Sequence, residues 1–255
     1  MPIEQTVYFH GAPGSPAELN LFGLRELNWA APDRFMDRTS LPFRAYLDAL
    51  AQELDTRYAP APLRLIGFSA GARVALELAG RLKGRISRIE LISPTAPLEL
   101  GDFVPRMEGR RVFTLVRDAP GLFPAWTWTM ARVGGWFPRQ VFKAVFAHPA
   151  GADAALAADP AFAAAVTAML RRSVGDASSG FRREILACVH PWFIDLATVD
   201  VPVRIWQGTV DNWTPVDMAQ ALQALLPNAE PMRLLDGLSH YSALRHTLVE
   251  IAAGR

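Results

Sequence analysis

The sequence predicts an α/β fold: a mostly parallel sheet with helices on both faces, interrupted by a mostly helical insertion. Short apolar runs alternate with segments of helical period up to about residue 94 and again from about residue 185, with short connections, the order expected of a parallel sheet covered on both sides. From about residue 96 to 185 that alternation stops. Third, Gly67-Phe68-Ser69-Ala70-Gly71 stands between a strand pattern (Leu63, Leu65, Ile66, Phe68) and a helix pattern (Val74, Ala75, Leu78, Ala79, Leu82). A G-x-S-x-G pentapeptide gains meaning in that context, because a serine pinned on a tight strand-to-helix turn needs neighbours without side chains. Such a turn lifts the Ser69 hydroxyl clear of the backbone. It also aims the Ala70 amide and the positive helix end at whatever bonds to that oxygen.

In chain order, Thr6-Val7-Tyr8-Phe9 reads as the first strand, followed by the turn-rich His10-Gly11-Ala12-Pro13-Gly14-Ser15-Pro16. A short helix is expected over Glu18 to Leu24. Asn28 to Arg34 reads as a strand and its exit, and Phe43 to Leu54 has helical spacing. After the Ser69 strand and helix, Ile89-Glu90-Leu91-Ile92 gives another strand. In the insertion, Val112 to Val116 fits a strand or a helix, Asp159-Pro160 opens a helix as cap and first residue, and Asp176 to Gly180 reads as a loop. The sheet resumes with Val201 to Gly208, a helix over Val216 to Leu226, a last strand over Glu230 to Leu235, and a final helix marked by Leu244, Leu248 and Ile251. The domain reading is therefore a core of 1–95 and 186–255 with a helical cap of 96–185.

Composition sets limits. With 255 residues, half of them hydrophobic and a fifth charged, the chain has the makeup of a soluble globular protein. A net charge of +1 gives no reason to expect nucleic acid or a membrane surface as partner. One cysteine, Cys188, rules out an intrachain disulfide and a cysteine zinc site, and its apolar helical setting suggests core packing. Met1 to His10 has neither a basic start nor a long apolar run, so a cytoplasmic protein is expected. No H-E-x-x-H, phosphate-binding loop or dinucleotide fingerprint occurs; neither metal nor organic cofactor is expected.

A serine hydroxyl needs a base within reach, and the base needs an orienting acid. In a doubly wound sheet the reacting groups lie beyond the carboxyl ends of the strands. His240 follows the last strand there; His10 follows the first but opens the turn loop, His246 is well into the final helix, and His148 and His190 lie in or near the insertion. Asp211 comes three residues after Gly208, whereas Asp236 reads as a turn former and Asp195 and Asp200 precede their strand. Ser69, Asp211 and His240 are the candidate nucleophile, acid and base.

That order resembles the α/β-hydrolase superfamily. His10-Gly11-Ala12-Pro13-Gly14 is similar to its H-G-x-P-G oxyanion loop, Ala31-Pro32-Asp33-Arg34 to its A-P-D-R strand exit, and Gly208-x-x-Asp211-x-x-x-Pro215 to its acid loop. The resemblance implies Ser69 as nucleophile, His240 as general base and then acid, Asp211 as orienter, and the Ala70 and Ala12 amides as oxyanion hole; Pro13 has no amide hydrogen to offer. It implies a turn-shaping, non-catalytic role for His10. The sequence departs from the family pattern in three ways: Ser239 replaces the usual glycine before the histidine, Phe35-Met36-Asp37-Arg38 replaces a glycine-rich turn, and the chain starts at the family's third strand. The last leaves a sheet of about six strands.

Serine at the elbow, where dehalogenases and epoxide hydrolases of the family carry aspartate, implies acyl transfer. The first reading is a hydrolase of esters or lactones of small, fairly hydrophobic substrates, a monomer or homodimer. The cap aromatics fit either a cleft lining or a cap core; Trp126, Trp128, Trp136 and Trp213 are the candidate substrate-binding residues. Carbon–carbon bond cleavage next to a ketone uses the same triad. A proline-releasing aminopeptidase shares the loop motif but needs an acidic pocket, and the acids of the cap are scattered. A non-catalytic ligand-binding protein of the same fold is the reading from another class.

Overall fold

The structure, a computed structural model, describes residues 3–24 and 27–254. Met1 and Pro2, within the stretch read for a leader, lie outside the described residues. Strands β1 (Gln5–Phe9), β2 (Leu63–Phe68), β3 (Ile86–Ile92), β4 (Val203–Gly208) and β5 (Arg233–Leu235) form one parallel sheet in that spatial order. Beyond β1, the strand expected over Asn28 to Arg34 shrinks to a single parallel bridge between Val7 and Ala30. Its bonds are Ala30 to Thr6 and Tyr8 to Ala30. Pro32 lacks an amide hydrogen and restricts Ala31, so the ladder cannot extend. The described sheet thus has five strands, not six.

Alternation along the strands fills two cores. Val7, Phe9, Leu63, Leu65, Leu91, Val203 and Ile205 face one side, where α1 (Phe43–Tyr58), α2 (Gly71–Ala79) and α9 (Val216–Leu225) cover them. Tyr8, Ile66, Phe68, Ile92 and Trp206 face the other, against α10 (His240–Ala252) and insertion residues. The sheet is buried on both faces, hence the near-continuous apolar strands. A truncation such as Leu47→Ala in the first core removes a fully buried side chain and costs about 2–5 kcal/mol.

Between β3 and β4 the chain is helical: α3 (Arg110–Asp118), α4 (Phe123–Trp136), α5 (Pro138–Val145), α6 (Asp153–Ala158), α7 (Pro160–Val174) and α8 (Ser178–Cys188). Helix α3 resolves the strand-or-helix ambiguity at 112–116. Asp159 caps α7 by accepting from Ala161 and Phe162 amides, with Pro160 in the first turn, as expected. The expected loop at 176–180 is half absorbed into α8, where Gly180 passes so close to Phe35 that a Cβ would lie 2.3 Å from its carbonyl oxygen. The expected helix at 18–24 is a 3-10 turn, Pro16–Asn20. No described helix is long and apolar enough to cross a membrane. Cys188 is buried, and burial pushes its thiol up to about 11.

Candidate active site

Parallel register brings the strand ends together. Phe9 pairs with Gly67, Phe68 with Ile92, Ile92 with Trp206 and Gly208 with Leu235. The loops after β1, β2, β4 and β5 therefore leave the sheet along one edge. They carry Ala12, Ser69, Asp211 and His240.

The turn after β2 is sharp. Ser69 has φ 54°, the left-handed region a serine adopts only when its surroundings impose it. A Cβ on Gly67 would lie 2.6 Å from Ala72 Cα, and one on Gly71 would lie 2.1 Å from the Phe9 carbonyl oxygen. Both glycines are sterically required. The Ser69 backbone is pinned: its amide donates to Ile92 (3.0 Å), and its carbonyl accepts from the Ala72 (3.1 Å) and Thr95 (3.2 Å) amides. Its side chain is left at the start of α2, with the residue only 7% exposed.

Asp211 is buried and saturated with donors. One carboxylate oxygen accepts from the Trp213 (2.8 Å) and Thr214 (2.9 Å) amides; the other accepts from Thr214 Oγ1 (3.2 Å) and His240 Nδ1 (2.9 Å). Burial would raise its pKa, but the His240 charge and these hydrogen bonds outweigh burial and hold it below the ordinary carboxylate value. An ionised acceptor at Oδ2 places the Nδ1 proton on the imidazole and leaves Nε2 as the ring's acceptor. Of the acids weighed in the sequence, Asp211 is the one that meets His240.

His240 opens α10 and is nearly fully buried. Phe68, next to Ser69, lies against its ring at 4.6 Å between centroids, and Trp213 stacks on it at 5.5 Å and 13°. The helix start is held twice. The Ser242 hydroxyl accepts from the Ser239 amide (2.8 Å), and Ser239 has φ −115°, which explains why no glycine is needed there. Asp153, from the insertion, accepts from the Tyr241 (3.0 Å) and Ser242 (2.7 Å) amides. Gly208 allows the β4 end to approach the histidine loop; a Cβ there would lie 2.4 Å from the Leu238 carbonyl oxygen.

The loop after β1 is organised by Glu18, a buried carboxyl that accepts from Tyr8 Oη (2.6 Å) and the Gly11 amide (3.0 Å). Burial raises Glu18 to about 7 in spite of those bonds. With the Gly11 amide so engaged and Pro13 lacking one, the Ala12 amide is the donor this loop can offer a ligand. His10 shapes the loop: Nδ1 donates to the Gly11 carbonyl (2.8 Å), and burial with the Arg34 charge nearby keeps its pKa well below normal. Arg34 donates to the His10 carbonyl and pairs with Glu184 of α8. Arg73, on α2, donates to the carbonyls of Ala187, His190 and Pro191.

Trp126 packs on the same apolar cluster as Ala12, stacked on Phe123 at 5.7 Å. Trp128 and Trp136, also candidates for substrate binding, are 63% and 75% exposed on α4. Sequence reasoning missed Glu18, whose Ser15-Pro16-Ala17-Glu18 spacing reads as a capping box, and Asp153, which carried no local signal. Among the described residues no group of three or more His, Cys, Asp or Glu could hold a metal ion.

No family model matches the sequence, and no curated protein matches it. Solved structures do match in fold. Est816, an N-acyl homoserine lactone degrading enzyme, is 17% identical with a TM-score of 0.64, covering 100% of this chain and 93% of that one. A thermophilic esterase from Thermogutta terrifontis is 17% identical with a TM-score of 0.66, covering 99% and 88%. The esterase RhEst1 from Rhodococcus sp. is 15% identical with a TM-score of 0.64, covering 99% and 90%.

Proposed function

We propose, from the premise that this chain has the α/β-hydrolase fold, that it is a serine hydrolase acting on an ester or lactone of a small, fairly hydrophobic substrate. The observation that carries the reading is the buried His240–Asp211 pair at 2.9 Å beside a strained serine turn. Ser69 Oγ attacks the carbonyl carbon while His240 Nε2 takes its proton. The oxyanion accepts hydrogen bonds from the Ala70 and Ala12 amides. The imidazolium then gives its proton to the leaving oxygen, and an acyl-enzyme remains. Water, deprotonated by the same nitrogen, attacks the acyl carbon and releases the acid, regenerating Ser69. Asp211 keeps the tautomer and stabilises the imidazolium throughout. The chain of 96–185 acts as the cap over this site.

An aminopeptidase pocket would need a free acid for the substrate amine. The two buried acids of the cap are already engaged, Glu184 with Arg34 and Asp153 with helix amides. The esterase neighbours add support at the level of reaction class. The test is hydrolysis of short-chain and medium-chain nitrophenyl esters by the native protein and Ser69→Ala. Activity that falls by roughly 10³- to 10⁶-fold in the variant is expected; equal rates in both would sink the proposal.

A further inference from the structure

Helix α4 and the turn after it are apolar, cationic and exposed. A helix apolar all round is ordinarily buried all round. Here Phe123, Thr127 and Gly134 are buried, while Leu122 is 61%, Trp128 63%, Trp136 75% and Phe137 50% exposed. At about 100° per residue, positions 122, 125, 128, 132 and 136 fall within about 120° of one another, so Leu122, Trp128 and Trp136 lie on one stripe, with Phe137 in the turn just past the helix. Together they present on the order of 500 Å² of apolar surface, in the range of patches that have a function.

The charge is as one-sided as the apolarity. From Ala119 to Ala152 the sequence has no Asp or Glu, but it has Arg132, Arg139 and Lys143. All three are exposed, and none has an acidic partner among the described residues. Asp118, just before this stretch, is taken by Arg117 at 2.8 Å. Arg132 lies over the Trp128 ring at 5.2 Å from its centroid, which sets cation and indole at the same depth.

From this we infer that the α4 face docks onto a lipid–water interface carrying anionic headgroups. Trp and Phe settle at the boundary between headgroups and acyl chains, and Arg and Lys beside them meet the lipid phosphates. A second copy of this chain fits poorly, since a two-fold contact through the stripe would bring the two copies of Arg132 together. A convex helix face also offers no groove for a partner's side chain. The inference goes beyond the hydrolase reading and does not depend on it.

The test is flotation of the full chain with vesicles of phosphatidylcholine alone and of phosphatidylcholine with phosphatidylglycerol, with tryptophan emission followed in parallel. Preferential binding to the anionic vesicles with a blue shift is expected, weakened between about 0.05 M and about 1 M salt. Arg132→Gln/Arg139→Gln/Lys143→Gln should lower partitioning by roughly 100-fold, and Trp128→Ser/Trp136→Ser by at least about tenfold. Circular dichroism and Tm check that each variant is folded, and the two variants report independently. Three results would overturn the inference: no preference for anionic vesicles, binding unchanged in both variants, or a solution dimer that W128S/W136S dissociates.

Discussion

Glu18 shows how a single buried group can hold a loop and be revealed by pH. Its carboxyl is fully enclosed, bridges Tyr8 and the Gly11 amide, and is raised from 4.5 to about 7. In the unfolded chain it ionises near its ordinary value. Between about 4.5 and about 7 the folded state therefore holds the extra proton, and stability falls as pH rises through that window, by about 3 kcal/mol in all. Asp211 works in the opposite sense and lower down: its depressed pKa adds stability that is lost as pH falls below 3.8. His10, held neutral by burial, acts in the opposite sense below about pH 6.5, so the readout is the difference in urea-derived stability between the native protein and Glu18→Gln from pH 4.5 to 8, which should change by about 3 kcal/mol across the window. A difference that does not vary with pH would contradict this account. Ser69, Asp211 and His240 were legible in the sequence because each follows a strand and so had to reach the same sheet edge. Glu18 was not, because its spacing from Ser15 imitates a helix cap and nothing local shows that the carboxyl turns inward.

At the scale of elements, α6 acts on α10. Asp153 receives two amides at the very start of the helix that carries His240, and the neighbouring Ala152 amide donates to the Gly237 carbonyl at 3.0 Å. An anion there meets both the unpaired N–H groups and the positive helix end. Asp153→Asn keeps one acceptor but loses the charge and leaves one amide poorly served, worth about 1–3 kcal/mol. The expected result is a lower Tm and a kcat reduced about tenfold, with KM little changed, because the histidine is displaced while the substrate surface is not. An unaltered kcat would show that the bond from the Ser239 amide to Ser242 alone positions His240. Periodicity located α10, but neither α6 nor this contact between residues 88 and 89 positions apart. Likewise it could place the aromatics of α4 on a helix without telling which would be covered. The missing sixth strand was legible in principle, since Pro32 follows Ala30 too closely for a ladder to continue.

The whole molecule is knitted by arginine. Arg34 meets Glu184, Arg183 donates to the Arg34 carbonyl at 2.7 Å, and Arg73 reaches the last turn of α8 and the chain just past it. Helix α8 is thereby fastened both to the loop after β1 and to the helix that starts at the serine turn. The preponderance of arginine over lysine carries no message as composition; in the structure the planar fork is what lets one buried cation serve several carbonyls. Replacing Glu184 with Gln would leave the Arg34 guanidinium enclosed without a counter-charge, at a loss of about 3–5 kcal/mol of global stability by urea denaturation. A loss below about 1 kcal/mol would mean the pair is solvated or relaxed in solution.

The bond from Asp153 to the histidine helix also couples two parts of the chain. Any excursion that carries α6 away from the sheet edge takes with it the acceptor of two amides beside His240. The same pair of hydrogen bonds thus ties the seating of α6 to the seating of the histidine turn, so that the two are in place together or not at all.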